Sequence, residues 1–182
     1  MNVKYEITAE RRNVKDVVRS ILSCILFHRL FGLCVPQSRE VLGITYPCVA
    51  TSSIDSLIEE RTSQLVRSNE SGGEIGLQFF EQRVKRATWF GRAQEDRCWE
   101  QWIISVAIVN AKSDTERESL NKKTEKQLRE IFLSIVSTVN EHKDHIPPIT
   151  TTDSTPFPFE IVVPGTSQGE GWGTVFKKML SD

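Results

Sequence analysis

No two cysteines in this chain are spaced as CxxC; Cys24, Cys34, Cys48 and Cys98 are scattered through 182 residues. Metal-ligand spacing of that kind is therefore absent. A chain of this length needs no disulfide framework to fold, so the thiols read as reduced. Charge of one sign is equally lacking. The formal net charge is −1, which excludes binding nucleic acid through the overall field. Long hydrophobic runs are missing too: the most apolar stretch, Ile21 to Phe31, is broken by Ser, His and Arg and is too short to span a bilayer. The first residues, MNVKYEITAERR, hold no apolar core of a secretory leader. A soluble, intracellular protein is the expectation.

Catalytic signatures are absent as well. There is no G-x-S-x-G, P-loop, G-x-G-x-x-G, H-E-x-x-H or EF-hand pattern. The glycines of PGTSQGEGWG lack the Lys-Ser/Thr ending of a phosphate loop and read as a flexible turn. His142 and His145 stand at a helix end beside two prolines with no cysteine near, which argues against a metal site. His28, within an apolar segment, reads as a core or interface histidine. Acidic residues fall mostly on helix faces as solvated charge. Nothing assembles a nucleophile, a base and an oxyanion donor, so the expectation is a non-enzymatic chain without metal or cofactor.

What is present is a regular alternation of elements. With 38% hydrophobic and 26% charged residues, the chain suits one domain over residues 1–182. Val3, Tyr5, Ile7 and Ala9 alternate as a half-buried strand. Asn13 caps a helix from Val14 that is apolar nearly all round in its second half and so runs through the middle of the domain, with Gly32 as its stop. Residues 34–51 read as a small hairpin with Pro36 and Pro47 as breaks. Ile54, Leu57, Ile58, Leu65 and Val66 have helical spacing, ended by Gly72-Gly73. Ile75, Leu77 and Phe79 form a strand, with Phe80 on its other face. Trp102, Ile104, Val106 and Ile108 line one face of the next strand and Ile103, Ala107 and Val109 the other, which predicts a central strand covered on both sides. Between these two strands, residues 85–98 form a long loop. Ser113 and Glu116 make a capping box before a long helix whose stripe includes Leu128, Ile131, Ile135, Val136 and Val139. Phe157, Phe159, Ile161 and Val163 give a late strand, and Val175, Phe176, Met179 and Leu180 an amphipathic tail. This order, without βαβ regularity, predicts an α+β fold on a covered antiparallel sheet.

The loop carries the most unusual stretch, RVKRATWFGR. Trp89 and Phe90 sit side by side among Arg83, Lys85, Arg86 and Arg92, with no acid. Leaving both aromatics in water forgoes roughly 3–6 kcal/mol of burial. The pair therefore either folds back into the core or waits for a partner.

Taken together, ILFHRLFG, LQFFEQRVKRATWF, CWEQWIISVAIV and DTERESLNKKTEKQLREIFLSIVSTVNEH resemble the small HORMA-domain subunit of the autophagy-initiating kinase complex. The resemblance implies a HORMA fold: three central helices packed on an antiparallel sheet, with a C-terminal mobile segment, about residues 143–182. It implies pairing as a heterodimer with the HORMA domain of the complex's scaffold subunit. It also implies an exposed WF finger, matched by Trp89 and Phe90, that recruits downstream autophagy factors at the phagophore assembly site in the cytoplasm. In the animal form a proline separates the two aromatics, whereas here they are adjacent. By the same analogy the outer face of the long helix, at Lys122, Lys126 and Arg129, is the expected face for the HORMA partner. A rival expectation is a membrane-surface sensor, in which the four cations and the aromatic tip meet anionic lipid at roughly 1 kcal/mol per cation.

Overall fold

A computed structural model describes residues 1–32, 34–68, 70–84, 94–149 and 156–164. Along them run β1 (Asn2–Glu10), α1 (Val14–Arg29), β2 (Pro36–Val41), β3 (Ile44–Val49), α2 (Ser52–Ser68), β4 (Gly72–Val84), β5 (Gln94–Val109), α3 (Asp114–Glu141) and β6 (Phe159–Val162). The architecture is α+β, as the periodicities predict. β2 and β3 form the small hairpin, and the other strands a sheet in the order β1-β5-β4-β6. That sheet is mixed, which corrects the antiparallel expectation. β4 is antiparallel to β5 and β6, but β1 lies parallel to β5. Two helices, a hairpin and a strand separate β1 from β5, enough chain to bring the polypeptide back to its starting end.

α1 passes through the middle because its second half is apolar nearly all round. Val17, Val18, Ile21, Leu22 and Ile25 are fully buried, and the helix touches α2, α3, β1, β5 and the hairpin. Its ends differ from the predicted ones. Asn13 precedes the helix, but its side chain makes no cap and instead donates to Asn121 Oδ1 in α3. At the other end the left-handed residue is Phe31, at φ 43°, rather than Gly32. A left-handed L-residue costs about 1–2 kcal/mol. The contact of the Phe31 ring with Phe157, edge-on at 5.9 Å, offsets part of that. Gly72 and Gly73 do not end α2 but open β4. A Cβ on Gly72 would lie 2.0 Å from the Val106 carbonyl oxygen, so only glycine lets the two strands approach there. Pro36 and Pro47 lie inside strands, tolerated because a two-stranded sheet has only edges.

One face of the large sheet packs under the helices: Ile7, Ile75, Leu77, Phe79, Trp102, Ile104, Val106 and Ile161 are all buried there. β5 is central, as predicted, but among the described residues helices cover only this side. Lys4, Glu6, Ala107 and Glu160 on the opposite face are exposed. The free edge of β1 is closed at Thr8, whose carbonyl accepts from Thr124 Oγ1 and whose amide donates to Gln127 Oε1. The capping box of α3 is formed: Ser113 Oγ accepts from the Glu116 amide, and the Glu116 carboxylate accepts from the Lys112 amide. Val136, assigned to the core stripe of that helix, is 42% exposed instead. The C-terminal segment is not uniformly detached from the fold, since Phe157, Ile161 and Val163 are buried in the core. Residues 150–155 and 165–182, with the predicted tail, lie outside the described residues.

Candidate interaction surfaces

The stretch expected to form the finger falls between β4 and β5. These two strands form a ribbon paired from Gly72↔Ala107 out to Val84↔Gln94, with a bulge between Phe79 and Phe80. Gln94–Cys98 are therefore strand, which corrects the expected loop of 85–98 over those residues. Extra pairing out to Val84 carries the ribbon past the last β6 partner, Phe79↔Phe159. Arg83 lies in β4, in register with Glu95. Trp89 and Phe90, with Lys85, Arg86 and Arg92, lie outside the described residues.

The root of the ribbon is held by aromatic packing and one buried carboxylate. Trp99 stands 5.7 Å from Phe79, 5.2 Å from Phe157 and 5.5 Å from His145 by ring centroids. Beside it, Glu100 is fully buried and accepts from Arg29 Nε at 2.9 Å and from Trp102 Nε1 at 2.5 Å; His145 Nε2 lies 2.7 Å from its other oxygen. Arg29 also donates to the His142 carbonyl, beyond the end of α3. One ion network thus joins the end of α1, β5 and the segment after α3. The general reading of acids as solvated charge misses Glu100. No local signal separates it from the other glutamates, because Arg29 and His145 lie 71 and 45 residues away in sequence. His145, set aside as a metal ligand, has this structural use. His28 is half-buried, with burial pushing its pKa down and Nε2 left without a partner.

The three residues expected at a partner face lie on α3. Lys122, Lys126 and Arg129 are all exposed; Lys122 pairs with Glu118 and Arg129 with Glu125 along the helix. The same line continues through Leu133, 69% exposed, and Val136 to Asn140. Steps of four and three residues keep these six on one straight stripe. Sequence reading singled out only its basic half, since Leu133 is one more apolar residue in the apolar stretch from Ile131 to Val136.

Other features are structural. A polar cleft of about 300 Å³ between α1 and the hairpin is lined by Asp16, Arg19, Arg39 and Tyr46, but its arginines are already paired with Glu59 and Asp55. Burial pushes the Cys24 thiol up to about 12, which leaves it unreactive. Among the described residues no group of three or more His, Cys, Asp or Glu is placed to hold a metal, and no helix is long and apolar enough to cross a membrane.

Among the described residues, these observations define an α+β protein with an exposed helix stripe and a long two-stranded ribbon. The chain belongs to the family described as Autophagy-related protein 101, whose profile matches residues 6–153. A relative of that name in Arabidopsis thaliana is 30% identical, covering 96% of this chain and 92% of its own. One in Schizosaccharomyces pombe is 30% identical, with 98% and 94% covered. The Homo sapiens relative is 24% identical over 80% of this chain and 74% of its own. Membership gives an autophagy-related role, and the family is not named for an enzymatic activity.

Proposed function

We propose that this chain is a non-catalytic adaptor subunit of the autophagy-initiating kinase complex, built as one HORMA domain over residues 1–182. It pairs with the HORMA domain of the scaffold subunit and recruits later factors to the phagophore assembly site through Trp89 and Phe90. It works in the cytoplasm. The observation that carries the pairing is the stripe of α3. Leu133 and Val136 are exposed on a helix whose opposite side, at Leu128, Ile131 and Ile135, is anchored in the core. Burying two such side chains against a partner helix is worth roughly 1.5–3 kcal/mol each. Lys122, Lys126 and Arg129 then steer encounter and set register more than final affinity.

The test is co-purification with the scaffold's HORMA domain. Leu133→Asp with Val136→Asp is expected to abolish the complex while leaving the thermal transition of the isolated chain unchanged. Triple charge reversal at Lys122, Lys126 and Arg129 is expected to weaken it less, because Glu118 and Glu125 already engage two of the three. A complex that survives both sets on a sizing column moves the partner to another face.

A further inference from the structure

Glu59 and Asp55 take up the arginines of the cleft between α1 and the hairpin, but its acceptors are left over. Asp16, in the first turn of α1, and Glu40, on β2, are exposed carboxylates that line it. Neither side chain makes a hydrogen bond or an ion pair with a described residue. Asn13 gives its amide hydrogen to Asn121, which leaves its Oδ1 as a further acceptor. Tyr46, on β3, is only 4% exposed, with its ring held against Phe132 of α3. Its hydroxyl has no hydrogen-bond partner yet is not sealed in protein, so it opens into the cleft. A side chain this deeply buried rarely leaves its polar atom unused.

Charge decides what fits. Asp16, Glu40, Asp55 and Glu59 stand against Arg19, Arg39 and Lys15, which shares Glu59, so the surroundings keep an acidic excess. The unpaired Arg19 Nε is sealed within the protein and does not reach an occupant. An occupant therefore meets oxygen acceptors and negative charge. An ammonium is a compact point charge, whereas a guanidinium carries five donors in one plane and no acceptor. Acceptors that come from the turn before α1, from α1, from β2 and from β3 suit the second. The volume of about 300 Å³ takes one group the size of a side chain. We infer that this cleft is a guanidinium-binding pocket. Asp16 and Glu40 carry the charge, and the Tyr46 hydroxyl and Asn13 Oδ1 orient the plane. Exposed carboxylates alone hold a cation weakly; the buried hydroxyl gives the pocket its selectivity. Either an arginine of a protein partner or a free small molecule presents this group. The inference stands on the side chains of the cleft, independently of the adaptor role.

Nuclear magnetic resonance titration of the full chain with Nα-acetyl-arginine amide tests it, read on the backbone amides of residues 13–16 and 40–46. Saturable shifts are expected there, with severalfold weaker binding of the lysine analogue and none of the citrulline analogue, which has the shape without the charge. Asp16→Asn with Glu40→Gln is expected to abolish the shifts. Tyr46→Phe keeps the ring against Phe132 and is expected to weaken binding severalfold at an unchanged thermal transition; it decides the matter if the double variant does not fold. Shifts that fail to saturate, that citrulline reproduces, or that survive both sets of substitutions overturn the inference. Adding the scaffold's HORMA domain separates the sources. Exclusion of the arginine amide from the complex assigns the group to a side chain of that partner, and undiminished binding assigns it to a free ligand. A failure of the pairing itself leaves the titration on the chain alone to decide the pocket.

Discussion

Glu100 meets three side-chain partners inside the core. It is a fully buried carboxylate facing a guanidinium that is itself 3% exposed, with an indole N–H and an imidazole as further partners. Removing one member of such a pair strands the other charge away from water, at about 3–5 kcal/mol. Glu100→Ala is therefore expected to lower the unfolding free energy by that amount, read as a lower urea midpoint at unchanged slope. Replacing both ions, with Arg29→Met and Glu100→Leu, is expected to recover part of the loss, since an apolar pair of similar volume carries no stranded charge. A double variant as unstable as the single one would show that the network acts through Trp102 and His145 instead.

Two elements differ sharply in what they contribute. β5 is buried between β1 and β4, so Ile104→Ala opens a cavity and is expected to cost about 2–5 kcal/mol. Trp89→Ala, if the finger is exposed as proposed, is expected within about ±0.5 kcal/mol. Equal and large losses in the denaturant midpoints would place Trp89 in the core and end the finger reading. The hairpin is tied to α2 by Arg39, which donates to both oxygens of Asp55 at 2.6 and 2.7 Å. That hydrogen bond holds the Asp55 carboxyl below its ordinary value of 3.8. A carboxylate with a lowered folded-state pKa stabilises above its unfolded value and loses that contribution as pH falls through the folded one. The gap between the parent chain and Asp55→Asn is thus expected near neutral pH and should close as pH falls below the ordinary carboxyl value of 3.8 and through the lowered folded-state one. Because the pair is partly exposed, the gap should not exceed about 1 kcal/mol. A gap that persists in acid would assign the effect to packing.

For the whole molecule, the proposed division of labour separates two surfaces. Aromatic anchors typically carry at least about 2 kcal/mol of an interface's energy. Trp89→Ala with Phe90→Ala is therefore expected to leave the fold and the scaffold pairing intact while blocking autophagic flux, with the defect in recruiting later factors. Flux and co-precipitation are scored in the same cells. Normal flux with confirmed expression removes the recruitment role, and loss of both readouts moves the pair into the core or the partner interface. Vesicle flotation with and without acidic lipid separates this from the membrane-sensor alternative.

Local periodicity determined most of the elements. The two-residue alternation of Trp102, Ile104, Val106 and Ile108 defines β5, the all-round apolar surface of α1 places it at the centre, and the Ser113–Glu116 box starts α3. These signals act within a turn or a few residues, so they are written in the chain itself. Tertiary structure decided what depends on distant partners. The parallel pairing of β1 with β5 follows from the path between them, not from either strand's composition. Phe31 holds a conformation suited to glycine because Phe157, far along the chain, receives its ring. Glu100 became a buried node, and Leu133 and Val136 an exposed stripe, because packing settles which side of an element meets the core. A sequence specifies periodicity; only the assembled layers specify which face is left for water or for a partner.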